Sequence, residues 1–382
     1  MGCLTGVPAA ANPEPLEAIA AIQSEGQFGP DHWRLSQARR IYYRIVRPLM
    51  PASLRPLLRT LSLPGQKRGS SLRWPIEDRF VRFQFETVRR LLERKRLETV
   101  PHIHFWPAGK RFALVLTHDV ESLQGQQFVR QVAALEERYG FRSSFNFVPE
   151  GYQVDGDLLA ELEERGFEVG VHGLKHDGKL FLSRDAFLKR AGRINHYLKT
   201  WGAVGFRAPL THRNPEWMQA LEIEYDSSFF DTDPYETIAG GTMSIWPFML
   251  GRFVELPYTL PQDHTLMVTL GKDTPRLWLD KADFIRRYCG MALLNTHPDY
   301  MRTPKQFAIY RAFLGEMHQQ TGFWHALPRE VAAWWRARAA FSTGGGERVP
   351  DGRFCPTVGQ IRRADKRSQS LSDGSGIILE TG

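Results

Sequence analysis

Cysteine is scarce in this chain: three in 382 residues, Cys3, Cys289 and Cys355, too far apart for any redox or metal-binding spacing. So sparse and odd a set argues against a disulfide framework and favours a reducing compartment. No apolar run reaches the length of a membrane span. The first fifteen residues lack a basic start followed by an apolar stretch, so no secretory leader is expected. Cys3 likewise has no apolar segment before it that would mark a lipoprotein. Acidic residues are missing from one region: Arg34, Arg39, Arg40, Arg44, Arg47, Arg55, Arg59, Lys67 and Arg68 follow one another with Asp31 the nearest acid. No internal repeat and no nucleic-acid-binding motif is present. The expected location is cytoplasmic or peripheral to the inner membrane.

What is there suffices for a large core. At 42% hydrophobic and 24% charged residues the composition is that of an ordinary globular protein. The net charge of +8 sits mainly in the lead-in rather than the centre. Three segments are expected. Residues 1–107 read as a basic helical extension, with helices over Trp33–Leu49, Leu54–Leu61 and Glu77–Leu97 separated by Pro51, Pro56, Pro64 and a Gly/Ser turn. Aromatic and leucine side chains (Trp33, Tyr42, Tyr43, Leu49) interleave its arginines, which suits peripheral contact with anionic lipid headgroups. A solvated helix face packed on the rest of the protein is the stronger reading. Residues 341–382 are rich in Gly, Ser and charge, without hydrophobic period, and are expected to be disordered.

Residues 108–340 alternate in type. Phe112–Thr117, Ser143–Val148, Glu168–Val171, Val204–Phe206 and Met291–Asn295 read as strands. Between and after them, Phe128–Tyr139, Asp157–Arg165, Arg184–Trp201, Pro215–Leu221, Lys305–Gln319 and Val331–Arg338 read as helices. Repeated strand–helix units imply parallel strands joined by right-handed crossovers, in sufficient number to close or nearly close a barrel.

In such barrels chemistry gathers where strands end. His172 and His176, with three residues between them, follow the run Glu168–Val171, and one turn can bring both imidazoles to a single divalent ion. Thr117-His118-Asp119-Val120-Glu121 follows the first strand, and Gly205-Phe206-Arg207-Ala208-Pro209 the fourth. Tyr225-Asp226-Ser227-Ser228 and Leu294-Asn295-Thr296-His297-Pro298 complete the series. Each segment alone is a weak signal; five in chain order are not.

Together, over Phe112–Pro328, they resemble the NodB-like polysaccharide deacetylases, a family of metal-dependent carbohydrate esterases. The resemblance implies a distorted (β/α) barrel, a divalent metal of the zinc kind, and a carbohydrate substrate losing N- or O-acetyl groups. It implies Asp119 as general base, His172 and His176 as metal ligands, and Arg207 with Pro209 as a wall that steadies the base. Asp226 and His297 match the fourth-motif aspartate and the late histidine that acts as general acid.

One departure stands out. The second aspartate usual in the first motif, a metal ligand, is replaced by Val120, which cannot bind a metal. If the backbone stays extended past Thr117, residues 119 and 121 project to the same side. Glu121 is then the expected third ligand and Asp119 the base; the alternative is Asp119 as ligand. Amide hydrolysis needs a nucleophile at neutral pH, a stabilised oxyanion and a proton for the leaving amine. A cation lowers the pKa of water towards about 7 and polarises the carbonyl. Asp119 would take a proton, His297 charged by Asp226 would give one, and Arg207 would keep Asp119 ionised.

Each residue also has a structural reading: Asp119 as a helix cap, Asp226-Ser227-Ser228 as a turn, Arg207 in an ordinary ion pair. His102 and His104 read as part of a linker packed on the barrel. His118 should face away from Asp119. Asp263, His264 and His212 fall near the cleft and receive no role. The competing functions are a hydrolase of another small amide or ureide, and a catalytically inactive carbohydrate-binding or membrane-associated accessory protein, an alternative that Val120 keeps open.

Overall fold

The computed structural model describes residues 15–37, 41, 71–341, 356–363 and 377–379. Of the helices expected over Trp33–Leu49 and Leu54–Leu61, only residues 33–37 and 41 fall among these, so those expectations lie outside the described residues. The third expected helix runs over Arg79–Lys95, and a further one over Pro15–Gln23.

Twelve strands are described: β1 Thr99–Ile103, β2 Phe112–Val120, β3 Ser144–Phe147, β4 Glu168–His172, β5 Gly205–Arg207, β6 Tyr225–Asp226, β7 Phe248–Leu250, β8 Phe253–Glu255, β9 Met291–Thr296, β10 Phe323–His325, β11 Val358–Arg363 and β12 Ile377–Leu379. β2 is buried at all nine positions, as a parallel strand covered on both faces must be. β3, β4, β5, β6 and β8 follow it in order across the sheet, each pair parallel, while β9 runs along the other edge of β2. Only β7 is antiparallel to its neighbour in this sheet. The far side comes round to meet β9, where the N–H groups of Thr259 and Leu260 both donate to the Leu293 carbonyl (3.1 and 3.0 Å). The sheet therefore curls into a (β/α) barrel, as the alternation of strands and helices implies.

Helices cover its outside: Leu123–Arg138, Gly156–Glu164, Arg184–Trp201, Arg276–Arg287, Pro304–His318 and Pro328–Ala340. Ser122, Asp155, Ser183 and Thr303 start four of them by accepting a backbone N–H two or three residues on, each cap contributing about 1 kcal/mol. Phe112, Phe145, Phe147 and Phe167 are fully buried between strands and helices, each worth about 1.5–3 kcal/mol of transfer from water.

Two expectations need correction. The tail expected to be disordered carries β11 and β12, which join β1 in a small antiparallel sheet. Their apolar signal is short, Val358 and Ile361 in one and Ile377-Ile378-Leu379 in the other, within a Gly- and charge-rich segment. His102, assigned to a linker, lies within β1 opposite Gly359. Among the described residues no helix is long and apolar enough to cross a membrane.

Candidate active site and metal centre

Parallel pairing aligns the strand ends at one mouth of the barrel. The register sets Asp119 beside Asn146, Thr117 beside Asn295, His172 beside Arg207, Phe206 beside Asp226, and Asp226 beside Glu255. Polar side chains far apart in sequence thus form one layer.

β2 stays extended through Val120, whose side chain is buried in the core. Asp119 and Glu121 therefore face the mouth together. Glu121 is held at its backbone, where its N–H donates to Asp299 Oδ2 (3.0 Å). Its Oε1 lies 2.8 Å from His176 Nε2. Glu121, His172 and His176 each offer one ligand atom, and the three atoms lie within 4.8 Å of one another.

The loop joining the two histidines is tightly specified. Gly173 has φ +61°, and a Cβ there would sit 2.4 Å from the Pro209 ring, so Pro209 requires glycine at this point. His176 itself adopts φ +45°, unusual for a residue with a side chain. Asp177 anchors the turn by a bidentate pair with Arg190 (2.7 and 2.8 Å).

His172 Nδ1 lies 3.1 Å from the Arg207 carbonyl, which can only accept, so the proton sits on Nδ1 and the Nε2 lone pair is free. That buried Nε2 has no hydrogen-bond partner. Burial pushes the imidazole pKa down to about 4, so the ring is neutral at pH 7. A neutral imidazole oriented by a carbonyl, with an orphaned nitrogen aimed at a second imidazole and a carboxylate, is a metal-ligand arrangement. The residues present fit a divalent cation with two nitrogens, one oxygen and an open position.

Asp119 is 2% exposed. Its Oδ1 accepts from Asn146 Nδ2 (3.0 Å) and Arg207 Nη1 (3.3 Å), and its Oδ2 from Asn295 Nδ2 (2.9 Å). Burial opposes the charge, but the Arg207 guanidinium and the charged His297 ring outweigh it and hold the carboxyl below the usual range. Arg207 is fixed by the Ser227 carbonyl (2.7 Å), the Thr117 hydroxyl (2.9 Å) and the Asn295 side chain.

His297 faces Asp119 and Glu121 with Nε2, at 3.9 and 3.8 Å. Its other nitrogen, Nδ1, is 2.7 Å from Asp263 Oδ1, and its backbone N–H donates to Asp263 Oδ2 (2.7 Å). Burial disfavours a charged ring, yet the Asp263 carboxylate beside it prevails and lifts the pKa to about 10.

The partner expected for His297 was Asp226, and the structure gives that place to Asp263. Asp226 is fully buried, accepting the Ser228 hydroxyl (2.7 Å) and backbone N–H (3.0 Å). It lies beside Glu255 in the sheet register, and burial holds both carboxyls above their ordinary pKa. His118 faces the helix side, between Thr296 Oγ1 and Glu136 Oε1 (2.7 Å each). Asn146, Asn295 and Asp263 were not assigned from sequence. Their signal is inward placement at strand ends, visible only once the register is known.

No family model matches the chain, and no curated protein sequence matches it. In structure it is similar to a Mycobacterium smegmatis protein described as a candidate polysaccharide deacetylase: 21% identity, 66% of this chain and 100% of that one, TM-score 0.52. A Pseudomonas aeruginosa PAO1 protein described in similar terms shares 16% identity over 62% of this chain and 95% of its own, TM-score 0.48. The peptidoglycan deacetylase PdaC of Bacillus subtilis shares 13% over 61% and 95%, TM-score 0.40. The first of these likenesses shows the fold: the chain has the polysaccharide-deacetylase type of (β/α) barrel.

Proposed function

We propose that this protein is a metal-dependent hydrolase that removes acetyl groups from an N-acetylated sugar or polysaccharide. The observation that carries the reading is the convergence of Glu121, His172 and His176 within 4.8 Å, with Asp119 and His297 beside them. Glu121, His172 and His176 would hold the cation, which supplies a polarised carbonyl and water of lowered pKa.

The remaining work falls to the protein's own side chains. Asp119 is ionised and fixed by two amides and a guanidinium, which suits a group that accepts a proton from water. His297, paired with Asp263, is charged at neutral pH and presents Nε2 to the same space, which suits a donor to the leaving amine. Arg207 keeps Asp119 in its basic form. Asp226, held by Ser228 and beside Glu255, takes no step in this scheme. The fold shared with the Mycobacterium smegmatis protein supports a carbohydrate as substrate.

The test is zinc content of the purified protein together with acetate release from N-acetylglucosamine oligomers. Wild type should bind close to one zinc and release acetate; His176→Ala should lose both. Wild-type protein that takes up no metal after zinc or cobalt addition points to the inactive accessory reading instead. Metal uptake with turnover of small amides only points to the other hydrolase.

A further inference from the structure

The cleft that holds Asp119, Glu121, His172 and His297 has a wall to which the catalytic reading gives no work. Tyr235, Glu236 and Thr237 form it, with Thr211 and Gln262 beside them. The wall belongs to a hairpin between β6 and β7, closed where Asp233 and Gly240 exchange backbone hydrogen bonds (3.1 and 3.3 Å). The next residue has to be glycine, because a Cβ on Gly241 would fall 2.2 Å from the Asp231 carbonyl. The lead-in then fixes the hairpin from outside. Gln27 Nε2 donates to the Gly241 carbonyl (3.0 Å), the Thr232 hydroxyl donates to the Arg73 carbonyl (2.8 Å), and Trp74 meets Tyr235 edge-on at 5.2 Å.

Glu236 is half-buried, and its carboxylate is aimed by two neighbours. One oxygen accepts the Thr211 hydroxyl (2.8 Å) and the other accepts Gln262 Nε2 (2.7 Å). Gln262 Oε1 lies 3.5 Å from Asn295 Nδ2, which donates to Asp119 Oδ2 (2.9 Å). A row of two amides therefore runs from Glu236 to the proton acceptor Asp119. A pyranose that brings its acetamido carbonyl beside Asp119 lays its ring hydroxyls along this row.

The charge of the cleft runs against that of the chain. The whole protein carries +8, yet among the described residues no lysine or arginine lines the cleft, while Asp119, Glu121 and Glu236 all do. The nearest guanidinium groups are turned inward. Arg207 is 1% exposed beneath Asp119. Arg213 is equally buried; it donates to the Thr211 carbonyl (2.8 Å) and pairs with Glu25 (2.6 and 2.5 Å). The charged His297 ring faces Asp119 and Glu121, the two acids beside the metal ligands. An anionic group placed on the hairpin wall thus meets a carboxylate, and no surface guanidinium receives it.

We infer that Glu236 is a specificity-determining residue of this cleft: it accepts hydroxyl groups of the sugar that loses its acetyl group, and turns away sugars with an anionic substituent at that place. The acetylated sugar rests on the deacetylase reading; the preference for uncharged over anionic sugar does not. Discrimination of this kind needs a repulsive element as well as an attractive one, and one carboxylate supplies both.

The experiment compares two trisaccharides on the zinc-loaded full chain at low salt. One is the N-acetylglucosamine trimer; the other is the same trimer with its primary hydroxyls oxidised to carboxylates. Acetate release gives kcat/KM for each, and where no acetate appears, calorimetry on the same samples gives the two affinities undisturbed by turnover. Wild type should prefer the neutral trimer by about tenfold or more, the size of one like-charge contact at a half-exposed site. Glu236→Gln removes the charge and keeps the shape: its carbonyl still accepts Gln262, and its amide can donate to the Thr211 hydroxyl. The preference should then fall to within about threefold of none, through KM rather than kcat. Salt at about 1 M should also shrink the wild-type preference, because a half-exposed charge is screened. No preference in wild type, or a full preference in a Glu236→Gln protein with native zinc content, overturns the inference. If the variant loses zinc, the salt arm decides, and a wild-type preference unchanged by salt overturns it. Preference in binding without acetate release leaves Glu236 in its place and removes the deacetylase; release without preference does the reverse.

Discussion

Glu168 opens β4, the strand that ends at His172, and lies about 13 Å from it at about 3.3 Å per residue. It is 2% exposed, accepting the Tyr225 hydroxyl (2.8 Å) and the Arg329 N–H (3.1 Å). Burial lifts its pKa from 4.5 to about 7, since two neutral donors offset only part of the cost of a buried charge. A carboxyl whose pKa is raised by folding binds its proton more tightly in the native state. Its stabilising contribution is whole below about pH 4.5 and is lost as pH rises through about 7. The rise corresponds to about 3 kcal/mol, of which about 2.5 kcal/mol disappears between pH 5 and pH 8. Glu168→Gln removes the titration while keeping the size of the side chain. The wild-type-minus-variant stability difference should therefore move by about 2.5 kcal/mol, in the variant's favour, from pH 5 to pH 8. Urea unfolding followed by tryptophan fluorescence, with EDTA present so that metal does not enter, measures it. A difference that stays constant within about 0.5 kcal/mol refutes the reasoning.

Glu121→Ala should weaken zinc affinity far more than Val120→Ala, because only residue 121 presents an oxygen to His172 and His176; metal competition titration decides, and equal losses would move the third ligand elsewhere. Asp263→Asn should lower kcat roughly 100-fold, the range for loss of an effective general acid. Without the carboxylate that raises it, His297 should also lose its proton at lower pH, drawing the alkaline limb of the kcat profile downward; an unmoved limb with normal kcat would remove His297 from the chemistry.

The barrel was legible because its strands are short apolar runs and its helices carry strong caps and period. Where the signal was thin, so was the reading. β6 has two residues and β8 three, below what any alternation can announce. The candidate ligands stood out because two histidines and a glutamate follow strand ends. Asn146 did not, since one asparagine in Ser144–Phe147 gains meaning only when parallel pairing sets it beside Asp119. Asp226 and Asp263 show the same gap: both are aspartates in polar stretches, and which one meets His297 depends on tertiary placement. β6 lies beside β8, so Asp226 faces Glu255, while the chain beyond Leu260 carries Asp263 to the end of β9.

The Glu25–Arg213 pair bears on any attempt to excise the barrel as an autonomous unit. Arg213 is 1% exposed and stacked 4.4 Å from the Phe230 ring, with Glu25 its carboxylate. Trimming the chain at residue 107 would remove the carboxylate of that guanidinium, a loss on the order of 3–5 kcal/mol where the charge stays buried, comparable to much of a domain's net stability. A minimal version of this protein has to begin ahead of Glu25, or replace Arg213 with an uncharged side chain that fills the same space.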